Sequence, residues 1–397
     1  RPGRGPGGDE PPNDWRSGFG GPAWTRLTEV DGSPGPWYLH LFDSSQPDLD
    51  WTREEVRAAF DDVLGFWLDR GVDGFRIDVA HGLAKDPALP DIGGRFARGA
   101  VAEEGHPHWD QDEVHDVYRR WRRVIDRYDG DRVFVAEAYL GSARRLARYL
   151  RPDELHTAFN FDLLLAPWDA EAFRTAVDDS IEHLAAVGAT PTWVLSNHDM
   201  VRHLTRYGGG EIGTRRARAA ALLLLALPGA AYLYQGEELG LPEVTELPDD
   251  ARRDPTFRRT KGREPGRDGC RVPIPWSGGG PSYGFGPGTA SWLPQPGEWA
   301  ELSHAAQAGD PTSMLALYRG ALRRRRDLLG GDEFAWLDAP PGVLAFSRGA
   351  DFTGAVNLGD DPVDWTPPEA TPNLLLSSGP YEPDGPLPGA TAVWWQA

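Results

Sequence analysis

The sequence predicts an α/β protein built on a parallel sheet or barrel and ending in a β-rich tail. Two observations carry this. Across residues 52–234, five short strand-like runs each follow a helical segment; from about residue 334 the pattern changes to short strands and turns. Residues 1–51 hold many turn signals and scattered aromatics (Trp15, Phe19, Trp24, Trp37, Tyr38, Phe42) and read as a small irregular or β-rich module. Thr52-Arg53-Glu54-Glu55 reads as a capping box, with the Thr52 hydroxyl accepting a free helix N–H. Val56, Phe60, Val63, Leu64, Trp67 and Leu68 then recur at helical spacing up to Gly71, and Val72 to Val79 is strand-like.

The alternation continues. Gln111 to Tyr128 is amphipathic and precedes the strand Val133 to Ala136; Ser142 to Leu150 is helical and precedes a strand at about Leu155 to Phe161. Glu171 to Val187 leads to Thr192–Leu195, and the Ala/Leu helix Glu211 to Leu227 leads to Ala230–Tyr234. A Pro/Gly/Trp-rich insertion fills 240–310, the helix Ser313 to Leu328 follows, and the tail completes the chain.

Composition narrows the function. The 397 residues suggest two or three domains, and 40% hydrophobic with 25% charged residues is a globular composition. A net charge of −19 argues against nucleic acid or an anionic membrane as partner. The longest wholly apolar run, Ala219 to Leu227, is too short to span a bilayer. Cys270 is the single cysteine, so no internal disulfide forms, and a reducing, cytoplasmic compartment fits best. His106 and His108 flank Pro107, but no carboxylate spacing supports a metal site, and no metal or cofactor is expected. The basic run Arg323 to Arg326 sits near a helix C-terminus, where the helix dipole and solvation account for it.

In parallel α/β folds, chemistry gathers at the C-terminal ends of strands. Here the first strand ends in Arg76-Ile77-Asp78, the second in Glu137, the fourth in Asn197-His198-Asp199 and the fifth in Gln235-Gly236-Glu237-Glu238. Taken singly, such residues are helix caps, rim residues or ion pairs. Acid-bearing strand ends with Arg and His between them point to a carboxylate-based hydrolase.

These stretches resemble the α-amylase family of glycoside hydrolases, in its α-glucosidase/oligo-1,6-glucosidase branch. The matching segments, in family order, are GFRIDVA (74–80), AEAY (136–139) and SNHD (196–199), flanked by QPDLDW (46–51), FNFDLLLAPW (159–168), YLYQGEELG (232–240) and RDGCRVPIPW (267–276). The resemblance implies Asp78 as nucleophile, Glu137 as general acid/base and Asp199 as transition-state stabiliser. It places Arg76 and His198 against the nucleophile and the sugar, and Arg271 against the bound glucose. It further implies a (β/α)8 TIM barrel lacking its first three strands. By that reading, 1–51 is a remnant of an inserted domain, 52–330 a partial catalytic barrel and 331–397 an antiparallel β domain. The opening RPGRGPGGDEPPNDW, which reads as the middle of a loop, leads us to expect a fragment of a longer protein with two exposed parallel edges.

The implied reaction suits these residue types. Cleaving a glycosidic bond with retention needs a charged nucleophile and a protonated carboxyl about 5–5.5 Å apart. Arg76 shares a side of the strand with Asp78 and favours its charged form, while burial and neighbouring carboxylates favour a protonated Glu137. Phe159 and Phe161, placed at the end of the third strand, are candidates to line the sugar pocket, as are Trp276 and Trp292. The resemblance also bears on linkage: the residue after the nucleophile tends to be Val in α-1,6-acting members and Thr or Ala in α-1,4-acting ones. Here it is Val79, which implies a short isomaltose- or maltose-type oligosaccharide as substrate, tilted toward isomaltose. The same residues also serve transglucosylases and sucrose isomerases, so those remain alternatives, as does an inactive or non-catalytic chain.

Overall fold

A computed structural model describes residues 1–93, 105–288, 290–368 and 373–396. Parts of the predicted insertion (289) and tail (369–372, 397) lie outside the described residues. The chain forms two compact units: Arg1–Phe159 with Glu182–Ala189 and Asp254–Gly266, and Asn160–Ile181 with Thr190–Arg253 and Arg267–Ala397.

The first unit opens with an antiparallel hairpin of β1 (Trp24–Thr28) and β2 (Pro34–Leu39). Helix α1 (Glu54–Leu68) follows, with two glutamates in its first turn, where the helix dipole favours them. The predicted cap is not made. Thr52 Oγ1 donates instead to Asp50 Oδ1 at 2.6 Å, and Arg53 occupies the N-cap position with no side-chain cap bond. Asp50 captures the hydroxyl because an Asx turn is local and needs no helix to form first.

Strand β3 (Gly74–Ile77), helix α2 (Val114–Ile125), strand β4 (Val133–Ala136), helix α3 (Ala143–Tyr149) and the short β5 (Thr157–Ala158) make a three-stranded parallel sheet with its helices. Gly74 is required at the start of β3, because a Cβ there would stand 2.1 Å from the Val133 carbonyl oxygen. Leu64, Leu68, Tyr118, Trp121, Phe134 and Tyr149 fill the core around this sheet. Trp121 packs on Phe60 and Trp51 at ring separations of 5.9 and 5.6 Å.

Among the described strands β3 pairs only with β4. A cavity of about 640 Å³ is lined by Trp67, Val72, Phe75, Ile77 and, at the strand end, Asp78 and Val79. Val63 and Trp67, predicted on the apolar face of α1, are nearly half exposed.

The second unit begins with the short helix α4 (Phe161–Leu165) and carries helix α5 (Ala170–Ala185) as far as Ile181. The predicted third strand is therefore truncated. Asn160 Oδ1 accepts the Leu163 N–H at 2.9 Å, so Asn160 caps a helix and Phe161 starts it. Next come β6 (Thr192–Trp193), α6 (His203–Arg206), α7 (Gly210–Ala226) and β7 (Ala230–Ala231), with β6 and β7 paired in parallel. Helix α8 (Pro255–Arg259) belongs to the first unit; α9 (His304–Gln307) and α10 (Met314–Leu328) return to the second.

The tail forms an antiparallel sheet of β8 (Ala335–Leu337), β9 (Val343–Arg348), β10 (Phe352–Asn357), β11 (Asn373–Ser377) and β12 (Thr391–Gln396), ordered β11-β12-β10-β9-β8. The period of two in β12 sends Trp394 into the core shared with α7 and α10, and Trp395 into a second cluster with Trp365. Helix α7 is buried on nearly every side from Ala219 to Ala226, which is why its sequence is apolar all round. The basic run is explained in part here: Arg325 donates to the carbonyls of Leu225 (2.6 Å), Leu227 (2.9 Å) and Gly229 (2.5 Å). The carbonyls it satisfies are thus those at the end of α7 and just beyond. Among the described residues, no helix is long and apolar enough to cross a membrane.

Candidate active site

Register places the predicted residues of the first unit. In the β3–β4 ladder Ile77 is opposite Ala136, so Asp78 and Glu137 are the next residues on neighbouring strands. Arg76, two residues before Asp78, forks between them: Nη1 lies 2.7 Å from Asp78 Oδ1 and Nη2 lies 2.8 Å from Glu137 Oε1. The two carboxylates differ in setting, with the Asp78 side chain 67% exposed and that of Glu137 7%.

The backbone turns sharply after Asp78. Val79 adopts a left-handed conformation (φ 46°, ψ 48°), which for a β-branched residue costs about 1–3 kcal/mol. Three hydrogen bonds hold it there. The Val79 N–H donates to Glu137 Oε2 (3.3 Å), the Ala80 N–H to the Glu137 carbonyl (2.7 Å), and the Tyr118 hydroxyl to the Ala80 carbonyl. Strain at Val79 is thus tied to the position of the Glu137 side chain.

Beyond this turn lies a cluster of buried histidines. His81 stacks on Trp109 at 4.9 Å, and His108 packs against His106, Trp109 and Trp15. Burial lowers His81 to about 4 and His108, with nearby positive charges adding to the effect, to about 2. Among the described residues, no group of three or more His, Cys, Asp or Glu side chains is arranged to hold a metal ion.

The second unit supplies the other predicted residues. Asn197 Oδ1 accepts the Asp199 N–H at 2.9 Å and shapes the loop after β6. Asp199 Oδ1 accepts from Arg271 Nη2 at 2.8 Å and from Arg267 Nη1 at 2.7 Å. His198 Nε2 lies 3.3 Å from Asp199 Oδ2, and the His198 carbonyl accepts from Arg271 Nε at 2.7 Å. Arg267 is a residue that the sequence motifs leave without a role. Its signal was the i, i+4 spacing of two arginines in RDGCR, which a 3₁₀ turn over Asp268–Arg271 brings to one carboxylate.

The fifth strand end is structural. Glu237 is buried, receives the Tyr318 hydroxyl at 3.4 Å and is pushed up to about 8 by burial. Cys270 is buried too, its thiol raised to about 12. Of the predicted pocket aromatics, Phe159 is half-buried beyond β5, its N–H donating to the Ala136 carbonyl at 3.1 Å. Phe161 is buried on α4, so its predicted place at a strand end is corrected. Trp276 and Trp292 are 49% and 55% exposed, and Trp292 lines an open cavity of about 610 Å³ with Tyr283 and Gln295.

The alpha amylase catalytic domain matches residues 1–330, and the chain belongs to the alpha-amylase family. A probable alpha-glucosidase of Rhizobium meliloti is 34% identical over 85% of this chain and 63% of its own length. An oligo-1,6-glucosidase of Heyndrickxia coagulans is 30% identical over 94% of this chain and 73% of its own. The chain thus spans less than two thirds of the first relative's length and less than three quarters of the second's. Among solved structures, the alpha-glucosyl transfer enzyme XgtA superposes with a TM-score of 0.82 at 31% identity, covering 99% of this chain and 76% of that one. The fold is the family's (β/α)8 barrel with a C-terminal antiparallel β domain, and the described residues hold the parallel strands β3 to β7 of it.

Proposed function

We propose that this chain carries the catalytic residues of a retaining α-glucosidase that cleaves terminal α-glucosidic bonds in short oligosaccharides. Asp78 attacks the anomeric carbon, Glu137 donates a proton to the leaving oxygen and later takes one from water, and Asp199 stabilises the oxocarbenium-like transition state. The observation that supports this best is the forked Arg76, which holds an exposed and a buried carboxylate side by side at two strand ends. The exposed one is open to a substrate carbon. The buried one lies beside it on the same guanidinium, at the position the family resemblance gives to the acid/base. The names of the glucosidase relatives support the same reading.

Substitution tests the assignment. Asp78→Asn and Glu137→Gln each lower kcat by about 10⁴-fold or more in the whole enzyme; near-normal turnover by Asp78→Asn would refute the nucleophile. Val79 favours α-1,6 linkages on this reading, so kcat/KM for isomaltose should equal or exceed that for maltose. Arg271 and His198 hold Asp199 and its loop toward the sugar. The thiol of Cys270, buried and held protonated, fits a cytoplasmic setting.

A second reading is glucosyl transfer, with a sugar hydroxyl in place of water as acceptor. The likeness to an alpha-glucosyl transfer enzyme favours it. Product analysis at high maltose or sucrose decides between them: free glucose for hydrolysis, longer or isomerised sugars for transfer.

A further inference from the structure

We propose that the first unit also holds an oxyanion site, sharing no residue with the carboxylate centre, for a phosphate- or sulfate-sized group. The site is a cavity of about 280 Å³ where the loop after Trp15 meets the segment after α8. Three arginines line it: Arg16, Arg259 and Arg263.

Their hydrogen bonds leave donors to spare. Arg259 uses Nε on the Gly20 carbonyl (2.8 Å) and Nη2 on the Pro22 carbonyl (3.1 Å), which fixes its plane and leaves Nη1. Arg263 uses Nε on the Thr260 carbonyl (3.0 Å) and keeps both Nη groups. Arg16 makes no side-chain hydrogen bond among the described residues, and none of the three is in an ion pair there. This differs from Arg76, Arg145, Arg267 and Arg271, which all meet carboxylates.

The wall beside Arg259 and Thr260 is backbone. Gly20 and Gly21 both have positive φ, and a Cβ at these positions would meet Thr260 Cγ2 at 3.2 Å and Arg259 Nη2 at 3.5 Å. Glycine therefore keeps this side of the cavity clear.

The charge balance is local. The chain carries −19 overall, yet residues 254–266 hold four cations (Arg258, Arg259, Lys261, Arg263) against Asp254 and Glu264. Glu264 also lines the cavity, and Asp43 and His40 lie within the field of Arg259. Three guanidiniums against one lining carboxylate leave an electropositive cleft on an acidic protein. Planar guanidinium forks match tetrahedral oxyanions, and two or three converging on one anion give selectivity over chloride.

The test is calorimetric titration of the protein with inorganic phosphate, with glycerol 3-phosphate and with sodium chloride at equal ionic strength. Saturable binding of phosphate with no matching response to chloride is expected. Binding of both phosphates identifies a site open to esters; binding of inorganic phosphate alone identifies a site for the free ion. Arg16→Gln and Arg263→Gln should each weaken binding about tenfold, and Arg323→Gln, on the exposed face of α10, should not. Arg16 is the decisive position, because its side chain makes no hydrogen bond or ion pair among the described residues. Absence of saturable binding, or unchanged affinity in a folded Arg16→Gln variant, overturns the proposal.

Discussion

The two carboxylate centres invert each other's ratio of guanidinium to carboxyl groups. In the first unit one guanidinium, Arg76, serves two carboxylates, Asp78 and Glu137. In the second, two guanidiniums, Arg267 and Arg271, converge on a single oxygen of Asp199. With Glu137 carrying its proton, as the proposed acid role requires, the first centre pairs Arg76 with one charged carboxylate, whereas Asp199 is held by two cations. One shared cation leaves an exposed carboxylate able to bond to an electron-poor carbon and a neighbour able to gain and lose a proton. A carboxylate held by two arginines is fixed in orientation and charge, so it can act by field alone. The division of labour proposed for Asp78, Glu137 and Asp199 follows from that difference.

The comparison is broken most severely at Arg76. Arg76→Gln leaves two carboxylates without their shared cation, and kcat/KM should fall by about 10²–10³-fold, the effect of losing one preorganised charge contact. Activity within a factor of a few of wild type would mean that Arg76 does not organise the first centre. The second centre should be more tolerant because it is doubly held. Arg267→Gln or Arg271→Gln alone should cost about tenfold, one charge-assisted hydrogen bond. The double variant should cost more than the product of the singles, because the last guanidinium on Asp199 is then gone. A strictly multiplicative double-mutant cycle would show that the two arginines act independently.

Stability against pH sharpens the contrast by a smaller amount. In the first unit His81 and His108 are buried and neutral, with pKa values lowered to about 4 and about 2. Their contribution is intact above the ordinary histidine value of about 6.5 and is lost as pH falls toward those values, since the unfolded chain takes up protons the fold refuses. In the second unit Glu237 is raised to about 8. Its contribution is intact below the ordinary glutamate value of about 4.3 and is lost as pH rises through 8. Thermal unfolding from pH 4 to pH 9 should therefore show an acid limb that His108→Phe flattens. It should also show an alkaline limb that Glu237→Gln flattens. A limb unchanged by its own substitution would remove that group from the account.

Much of this was legible in the sequence. Strand β4 runs over the predicted Val133–Ala136, because a β-branched run between charged turns has one reading. Asp78 and Glu137 follow β3 and β4 directly for the same reason, that apolar runs stop where polar residues begin, whereas Asp199 lies further on, in the loop after β6. Boundaries set by side-chain competition were not legible. Thr52 lost its cap to Asp50, and the predicted Leu155–Phe161 strand was cut short to Thr157–Ala158 by an Asn160-capped helix. In both places a polar side chain had two partners within reach, and pattern alone does not choose between them.

By itself the sequence determined the order of helices and strands, the acidic strand ends and the family, since these rest on residue type and spacing along the chain. Tertiary structure decided which charges meet. The pairing of Ile77 with Ala136 sets Asp78 beside Glu137 on one arginine, and a single 3₁₀ turn turns Arg267 toward Asp199. Those contacts join residues tens of positions apart, so their geometry comes from parallel register and core packing, which no local preference encodes.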